Sequence, residues 1–499
     1  MDKEENNDNL SSKSENKPNI SNGKENNGKP KGPPFMEGVL TDPADKRNVI
    51  ILAGLATFLS AIATTAVTVA VPTIALEFHM SGIMQNWIAT IFLLSVAIFS
   101  VPVGKLSGKV GLKKFLYMGV SLLAITSIGA ALSPSAEVLL GFRAIQGVSS
   151  AMISVSSMAV VAQAMPPQER GKSLGLNILC VYIGLTLGPV IGGFITQHVG
   201  WQGIFLMIVP FILVDLIIGH FKVKKEWKMG VEDKFDYIGT VLYGIGILFG
   251  IYGFTTVNTL EGVVLTVIGI LILIIFAIYE LKLETPVFEV KLFKNMKFAS
   301  STLAALISYL ATFVVTYIIT YHLQYIKGMD PQTTGIVLIV TSGLMAIMAP
   351  FAGNLSDKID PQKLSALGMA LVAISLGMLS FLDANTPLYL IIIAMAIEGI
   401  GIGLFTSPNT NAIMSAVPRK LTSIASASVA TARVIGQTLS LGMLTIIFAF
   451  IMGSVQILPK TYPKLIVSSQ IAFIVSTILC IIAIILSFVG IRSKAEPAG

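Results

Sequence analysis

Four ionisable side chains lie inside long apolar runs of this 499-residue chain: Arg143, Asp215, Glu398 and Arg433. A charged group at the centre of a membrane-spanning helix costs roughly 2.5–3.5 kcal/mol by insertion scales. Such groups are therefore read first as ion or substrate sites and second as internal pairs. Glu398 is near the middle of its run, where a carboxyl can take up and release a proton; the plain alternative is a neutral carboxyl hydrogen-bonded within a bundle. Arg143 is a second member of a proton-coupling set, because a nearby positive charge favours a carboxylate. Asp215 stands about 10 Å along a helix from Lys222. That spacing suits a structural pairing with a connector lysine, and Asp215 is kept as a further acidic candidate.

Polar and aromatic residues within the runs suggest a substrate cavity: Thr64, Thr65, Thr68, Gln146, Tyr317, Tyr321, Gln324, Asn409, Asn411 and Arg433. A few polar groups in an apolar pocket accept varied amphipathic ligands. Tyr317 and Tyr321 share a helix face that can hold a cation. The competing reading for each is helix packing, and for Tyr321 and Tyr325 membership of an interfacial aromatic belt. Other chemistry has little support. Cys180 and Cys480 lie singly in apolar runs, four histidines lack zinc-ligand spacing, and no phosphate-binding Gly-x-x-x-x-Gly-Lys-Ser/Thr loop occurs. No metal, cofactor or enzymatic activity is expected.

The elements that position these residues follow from composition. Hydrophobic residues make up 54% and charged residues 12%, with a mean hydropathy of +0.80, whereas soluble domains carry about a quarter charged residues. Roughly 20 apolar residues cross a bilayer, and the chain divides into fourteen such spans. They run near 49–71, 83–103, 115–132, 138–164, 174–195, 201–221, 237–257, 262–280, 299–326, 333–352, 364–382, 387–416, 424–453 and 465–491. The fold class is an all-α integral membrane protein. Residues 1–45 are almost devoid of apolar side chains and are predicted to be a disordered tail. No cleavable signal peptide is evident, so the first span directs insertion.

Of the 34 lysines and arginines, Arg143 and Arg433 fall in spans and Lys327, Lys460 and Lys464 in loops on one side. All the others fall on the opposite side, which the positive-inside rule makes cytoplasmic. Both termini are expected there, in a plasma-membrane protein. The lysine-rich connector from Lys222 to Lys234 then faces lipid headgroups rather than nucleic acid.

The sequence also repeats. Gly104-Lys-Leu-Ser-Gly-Lys-Val-Gly-Leu-Lys-Lys114 returns as Gly353-Asn-Leu-Ser-Asp-Lys-Ile-Asp-Pro-Gln-Lys363, an offset of 249. Gly147 matches Gly399, and Ala164-Met-Pro166 matches Ala416-Val-Pro418, both at 252. These offsets predict two parallel six-helix bundles, residues 46–222 and 291–499, with the connector and two inserted spans at 223–290. Such an arrangement supports rocking-bundle alternating access.

In span 5, Gly184, Gly188 and Gly192 form a stripe for close helix approach, and Pro189 bends the helix. Gly193 extends the motif. This set, with Gly104, Gly108, Lys109, Gly111 and Asp357 of the two repeated loops, is expected to gate a moving interface.

The ordered motifs resemble the major facilitator superfamily, and within it the fourteen-span drug:proton antiporters. The likeness rests on Gln85-Asn-Trp87, the Gly104 to Lys114 loop, Arg143-Ala-Ile-Gln146-Gly147, Gly184 to Gly193, Trp201 to Phe205 and Phe235-Asp-Tyr-Ile-Gly239, and spans residues 48 to 492. It implies proton-coupled efflux of small amphipathic or cationic compounds by a monomer in the bilayer. Two departures stand out. Ile62-Ala63-Thr64-Thr65 lacks the family's span-1 aspartate, and Gly108 replaces the aspartate of the first loop, while Asp357 keeps it in the second. A metabolite or lipid carrier and a non-transporting membrane sensor are the competing readings.

Overall fold

The computed structural model describes residues 39–228, 236–283, 288–356, 358–417 and 422–492. Fourteen helices among them are long and apolar enough to cross a membrane. They are α1 (Pro43–Glu77), α2 (Gly82–Val110), α3 (Leu112–Ala131), α4 (Ala136–Ala164), α5 (Pro167–His198), α6 (Gln202–Lys222) and α7 (Tyr237–Thr255). The remainder are α8 (Leu260–Lys282), α9 (Met296–Tyr321), α10 (Pro331–Ser356), α11 (Pro361–Leu379), α12 (Leu388–Ser415), α13 (Thr422–Ile451) and α14 (Tyr462–Arg492). Helix is the form an isolated apolar span must take, because hydrocarbon offers its backbone no other partner. Polar residues start several of these helices: Asp42, Ser81, Ser135, Thr259 and Asn295 each accept a hydrogen bond from a first-turn amide. A π-helical turn, His322–Ile326, extends α9.

Each contact within α1–α6 has a counterpart eight helices later. α1 packs on α5 as α9 does on α13, α2 and α3 on α4 as α10 and α11 do on α12, and α6 on α1 and α3 as α14 does on α9 and α11. The matched glycines show why the repeat is exact in packing. A Cβ on Gly147 would strike the carbonyl of Phe92 on α2, and one on Gly399 would strike that of Thr341 on α10.

The two halves meet chiefly through α2 on α13 and α5 on α10. The hairpin of α7 and α8 lies beside the first of these seams. Tyr243 donates to the carbonyl of Ala97 (3.1 Å), and Tyr243, Ile247, Ile251 and Phe276 pack with Leu94, Val434 and Leu439.

At the start of the chain the expected tail is shorter than 45 residues. The Leu40 amide donates to the Ala164 carbonyl (2.8 Å), the Leu40 side chain is buried, and α1 begins at Pro43. The rest of that expectation, residues 1–38, lies outside the described residues, as do Asp357, Phe235, Pro418 and connector residues 229–235.

Candidate functional site

One end of the helical array carries the α2–α3 and α6–α7 connections with their lysines; here it is called the basic end. At the opposite end the halves are bonded together. Tyr321 donates to Asn86 Oδ1 (2.9 Å), Tyr325 to Gln85 Oε1 (3.2 Å) and Gln324 Nε2 to the carbonyl of Val69 (2.8 Å). Gln456 Nε2 reaches the carbonyl of His79 (2.7 Å), and the Gly82 amide reaches that of Val455 (2.9 Å). Deeper in, Tyr317 meets the Thr68 hydroxyl. These bonds between the halves lie at the end away from the lysines. The halves are therefore sealed to one another at that end.

This arrangement changes the roles expected of several cavity residues. Tyr321, Tyr325 and Gln324 are seal residues, and both tyrosines are buried rather than presented to a lipid interface. Tyr317 and Thr68 are also buried, so the Tyr317–Tyr321 face offers no open surface to a cation in this state. Asn409 ties α12 to α9 through the carbonyl of Ser301 (3.1 Å), and Asn411 ties α12 to α10 through Ser356 Oγ (3.0 Å). Thr64 and Thr65 are half-buried and bond to carbonyls of their own helix. Arg433 is half-buried at mid-depth of α13.

Arg143 is fully buried in the first half. Its Nε donates to the carbonyl of Ile88 (3.1 Å) and Nη1 to that of Ala63 (3.2 Å) and to Gln146 Oε1 (3.0 Å). The guanidinium also lies 4.3 Å from the centre of the Phe92 ring, a cation–π geometry. The charge thus fastens α1, α2 and α4 together without a carboxylate. Gln146 completes the knot by donating to Ser127 Oγ on α3 (2.9 Å).

Glu398 belongs to the other half. It is buried between α12, α10 and α14, with Thr341 Oγ1 donating to Oε2 at 3.5 Å and Cys480 on its α14 side. Arg143 and Glu398 are not in contact: Arg143 is bonded within the first half, with Tyr317 of the second as an electrostatic neighbour, and Glu398 is enclosed by its own bundle. Asp215 is completely buried on α6 facing Tyr117, and neither of its oxygens has a hydrogen-bond partner. The expected pairing with a connector lysine is absent. Lys222 is exposed, and Lys113 Nζ donates to the carbonyl of Val223 instead.

The glycine motif of α5 divides between two neighbours. Gly184, Gly188 and Gly192 face α1, where a Cβ would meet Phe58 and Ala61, Thr65, and Ala66 respectively. That contact lies inside the first half, which corrects the expectation that this stripe is the moving interface. Pro189 and Gly193, about 100° round the helix, are the residues that reach the second half. The carbonyl of Pro189 abuts Gly335, and Gly193 abuts the carbonyl of Pro331.

At the basic end, Gly111 has φ +127°, a conformation that suits glycine. It leads into α3 without a side-chain cap of its own. Glu226 of the connector supplies one, accepting from the amides of Lys113 (2.9 Å) and Lys114 (3.2 Å). Val223 and Trp227 are buried alongside, and the Leu112 amide donates to the carbonyl of Trp227 (2.9 Å). Gly108 is buried and Gly104 and Lys109 are exposed. Composition gave no sign that this lysine-rich connector would dock.

Sequence reading also passed over Tyr182 on α5 and Tyr309 on α9. Both lie deep among the helices yet keep accessible surface, and both are electrostatic neighbours of Arg433. A signal for Tyr309 existed: aromatic residues recur every four positions at Tyr309, Phe313, Tyr317, Tyr321 and Tyr325.

Two repeated six-helix bundles with a lateral helical hairpin, sealed at one end, define a transmembrane transporter of the two-bundle type. The chain belongs to the Major Facilitator Superfamily, whose sequence profile matches residues 53–301 and 301–498. It is 28% identical over 451 residues to the riboflavin transporter RibZ of Clostridioides difficile (strain 630), covering 89% of this chain and 97% of that protein. It is also 28% identical over 409 residues to the multidrug efflux pump LfrA of Mycolicibacterium smegmatis, covering 81% of each. In three dimensions it is similar to a bacterial homolog of the human lysosomal transporter Spinster. The TM-score is 0.68 at 16% identity, over 92% of this chain and 100% of that one. The fold and family are those of transporters, not enzymes.

Proposed function

We propose that this protein exports small amphipathic molecules from the cytoplasm by alternating access, coupled to inward proton movement through Glu398. The observation that supports this reading is the seal at the end away from the lysines. If the basic end is cytoplasmic, as its lysines suggest, the halves are bonded on the outer side and substrate enters between them from within. Breaking the seal while closing the basic end then exposes the same site to the outside.

Glu398 is the proton carrier in this scheme because it is a membrane-depth carboxyl with a single long hydrogen bond from a neighbouring helix. Thr341 is half-buried on α10, so small movements of α10 against α12 open or close the carboxyl to water. One charge crossing 100 mV releases about 2.3 kcal/mol. At 1.4 kcal/mol per tenfold, that sustains a gradient of roughly fifty-fold.

A second reading is favoured by the likeness to a riboflavin transporter over most of the chain: a carrier of one metabolite rather than of many compounds. Inverted membrane vesicles separate these readings. Export of several unrelated amphipathic dyes, energised by an acid interior and abolished by a protonophore, is the expected result. Accumulation of riboflavin alone selects the metabolite carrier. Absence of any gradient-driven flux removes both.

A further inference from the structure

Arg433 and Tyr309 of the second half and Tyr182 of the first are electrostatic neighbours on the basic side of Tyr317. Arg433 is 11 residues into α13, about 16 Å from its start at 1.5 Å per residue. Tyr309 is one stretch of about 12 Å along α9 from Tyr317, toward the basic end. Gly436 fixes the facing of α13: a Cβ there would stand 2.9 Å from Cβ of Tyr309. Arg433, three residues earlier, lies on that same face. Tyr182 comes from the opposite bundle. It lies seven residues before Pro189, hence on the face of α5 that looks across to the second half rather than on the stripe that packs against α1.

The three residues are electrostatic neighbours of one another. Among the described residues, Arg433 makes no hydrogen bond or ion pair, and neither tyrosine hydroxyl has a hydrogen-bond partner or is sealed from solvent. The charge balance of the spans is one-sided at this depth. Glu398 and Asp215 are buried within separate bundles, and the positive charge of Arg143 is taken up by carbonyls and Phe92. Arg433 is left as a half-buried cation with no ion pair to any described carboxylate. A guanidinium in a low-dielectric site gains most from a carboxylate or phosphate held by two parallel hydrogen bonds. Two phenols add donors and flat apolar surface around the same point.

We propose that Arg433, Tyr182 and Tyr309 are the substrate-recognition site and that it selects amphipathic anions: molecules with an aromatic or apolar body and a carboxylate, or a group of like charge. This deepens the export reading above and rests on it. Because Tyr182 belongs to one half and Arg433 and Tyr309 to the other, an anion bound by all three draws the halves together on the basic side. It thereby favours the state in which the distant seal opens.

The test uses two dyes with a common xanthene body, anionic carboxyfluorescein and cationic rhodamine 123, bound to purified full-length protein in detergent micelles and followed by fluorescence anisotropy. Wild type is expected to bind carboxyfluorescein at least ten-fold more tightly than rhodamine 123. Arg433→Gln should lower that ratio ten-fold or more, Arg433→Lys should recover part of it, and Tyr182→Phe and Tyr309→Phe should lower it two- to five-fold each. Equal binding of the dyes by wild type, no binding of the anionic dye, or a ratio unchanged in Arg433→Gln overturns the proposal. Because binding is read without a gradient, charge-selective binding without vesicle transport would defeat the export reading alone. Transport without charge selection would defeat only this one.

Discussion

Glu398 occupies in the second repeat the position that Gln146 occupies in the first: each immediately precedes the glycine, Gly399 or Gly147, that lets its helix touch a neighbouring backbone. Gln146 is fastened between Arg143 and Ser127. Among the described residues, Glu398 has only the 3.5 Å bond from Thr341. The same site is thus a structural knot in one half and a loosely held acid in the other.

Glu398→Gln restores in the second repeat the residue of the first, so the variant should fold. In proteoliposomes under an imposed pH gradient, accumulation of substrate should fall to the level of passive equilibration, while downhill exchange of a neutral substrate keeps within about two-fold of wild type. Thr341→Val should lie between the two. Full gradient-driven accumulation in Glu398→Gln would exclude Glu398 as the proton carrier.

Two glycines of α5 should behave differently although they are five residues apart. Overpacking a close contact costs about 1–3 kcal/mol. At Gly188, where an added methyl meets Thr65 inside the first half, that cost falls on the folded bundle in every state, so Gly188→Ala should lower the melting temperature. At Gly193, where the methyl meets Pro331 of the other half, the cost falls on the sealed state alone. Gly193→Ala should shift the conformational ratio by roughly 5- to 150-fold toward opening at that end. Spin-label distances between the α1–α2 and α13–α14 loops would report it, with little change in melting.

Glu226 should be worth a helix cap to α3. Glu226→Ala removes the acceptor for the Lys113 and Lys114 amides, a loss of about 1 kcal/mol for a typical cap. Hydrogen exchange at these two amides should quicken several-fold, with the far end of α3 unaffected. Unchanged exchange would mean that the docked Trp227 alone holds the connector.

The spans were legible because twenty apolar residues are a thermodynamic requirement, and each predicted run falls on a helix. What hydropathy could not give was helix length. α1 starts at Pro43 rather than 49, α2 continues to Val110 rather than 103, and α5 starts at Pro167 rather than 174. Hydropathy marks the hydrocarbon, whereas a helix continues through polar residues beyond it. The repeat offsets located the paired glycines, and periodicity put Gly184, Gly188 and Gly192 on one face. Neither could say that the facing helix is α1. The hydrogen-bond partners of Arg143 on α1 and α2 were invisible for a simpler reason: they are backbone carbonyls, which every residue carries. Arg433 stood out as a charge within an apolar run, but its neighbour Tyr182 comes from the other bundle and no local pattern connects them.

Asp215 offers a prediction in which stability and function separate. A polar group buried without a hydrogen bond costs the folded state about 1–3 kcal/mol, and both oxygens of Asp215 are in that position. Tyr117, the polar side chain it faces, already donates to the carbonyl of Leu216 (3.2 Å). An apolar side chain of similar size removes the penalty, so Asp215→Val should raise the melting temperature of the detergent-solubilised protein. Asp215→Asn, which stays polar and unbonded, should not. Gradient-driven transport should survive both changes, since Asp215 is enclosed on α6 apart from the seam between the halves. If instead pH-driven accumulation is lost in Asp215→Val while the protein melts higher, the penalty is retained for transport. Asp215 would then replace Glu398 as the group that carries the proton.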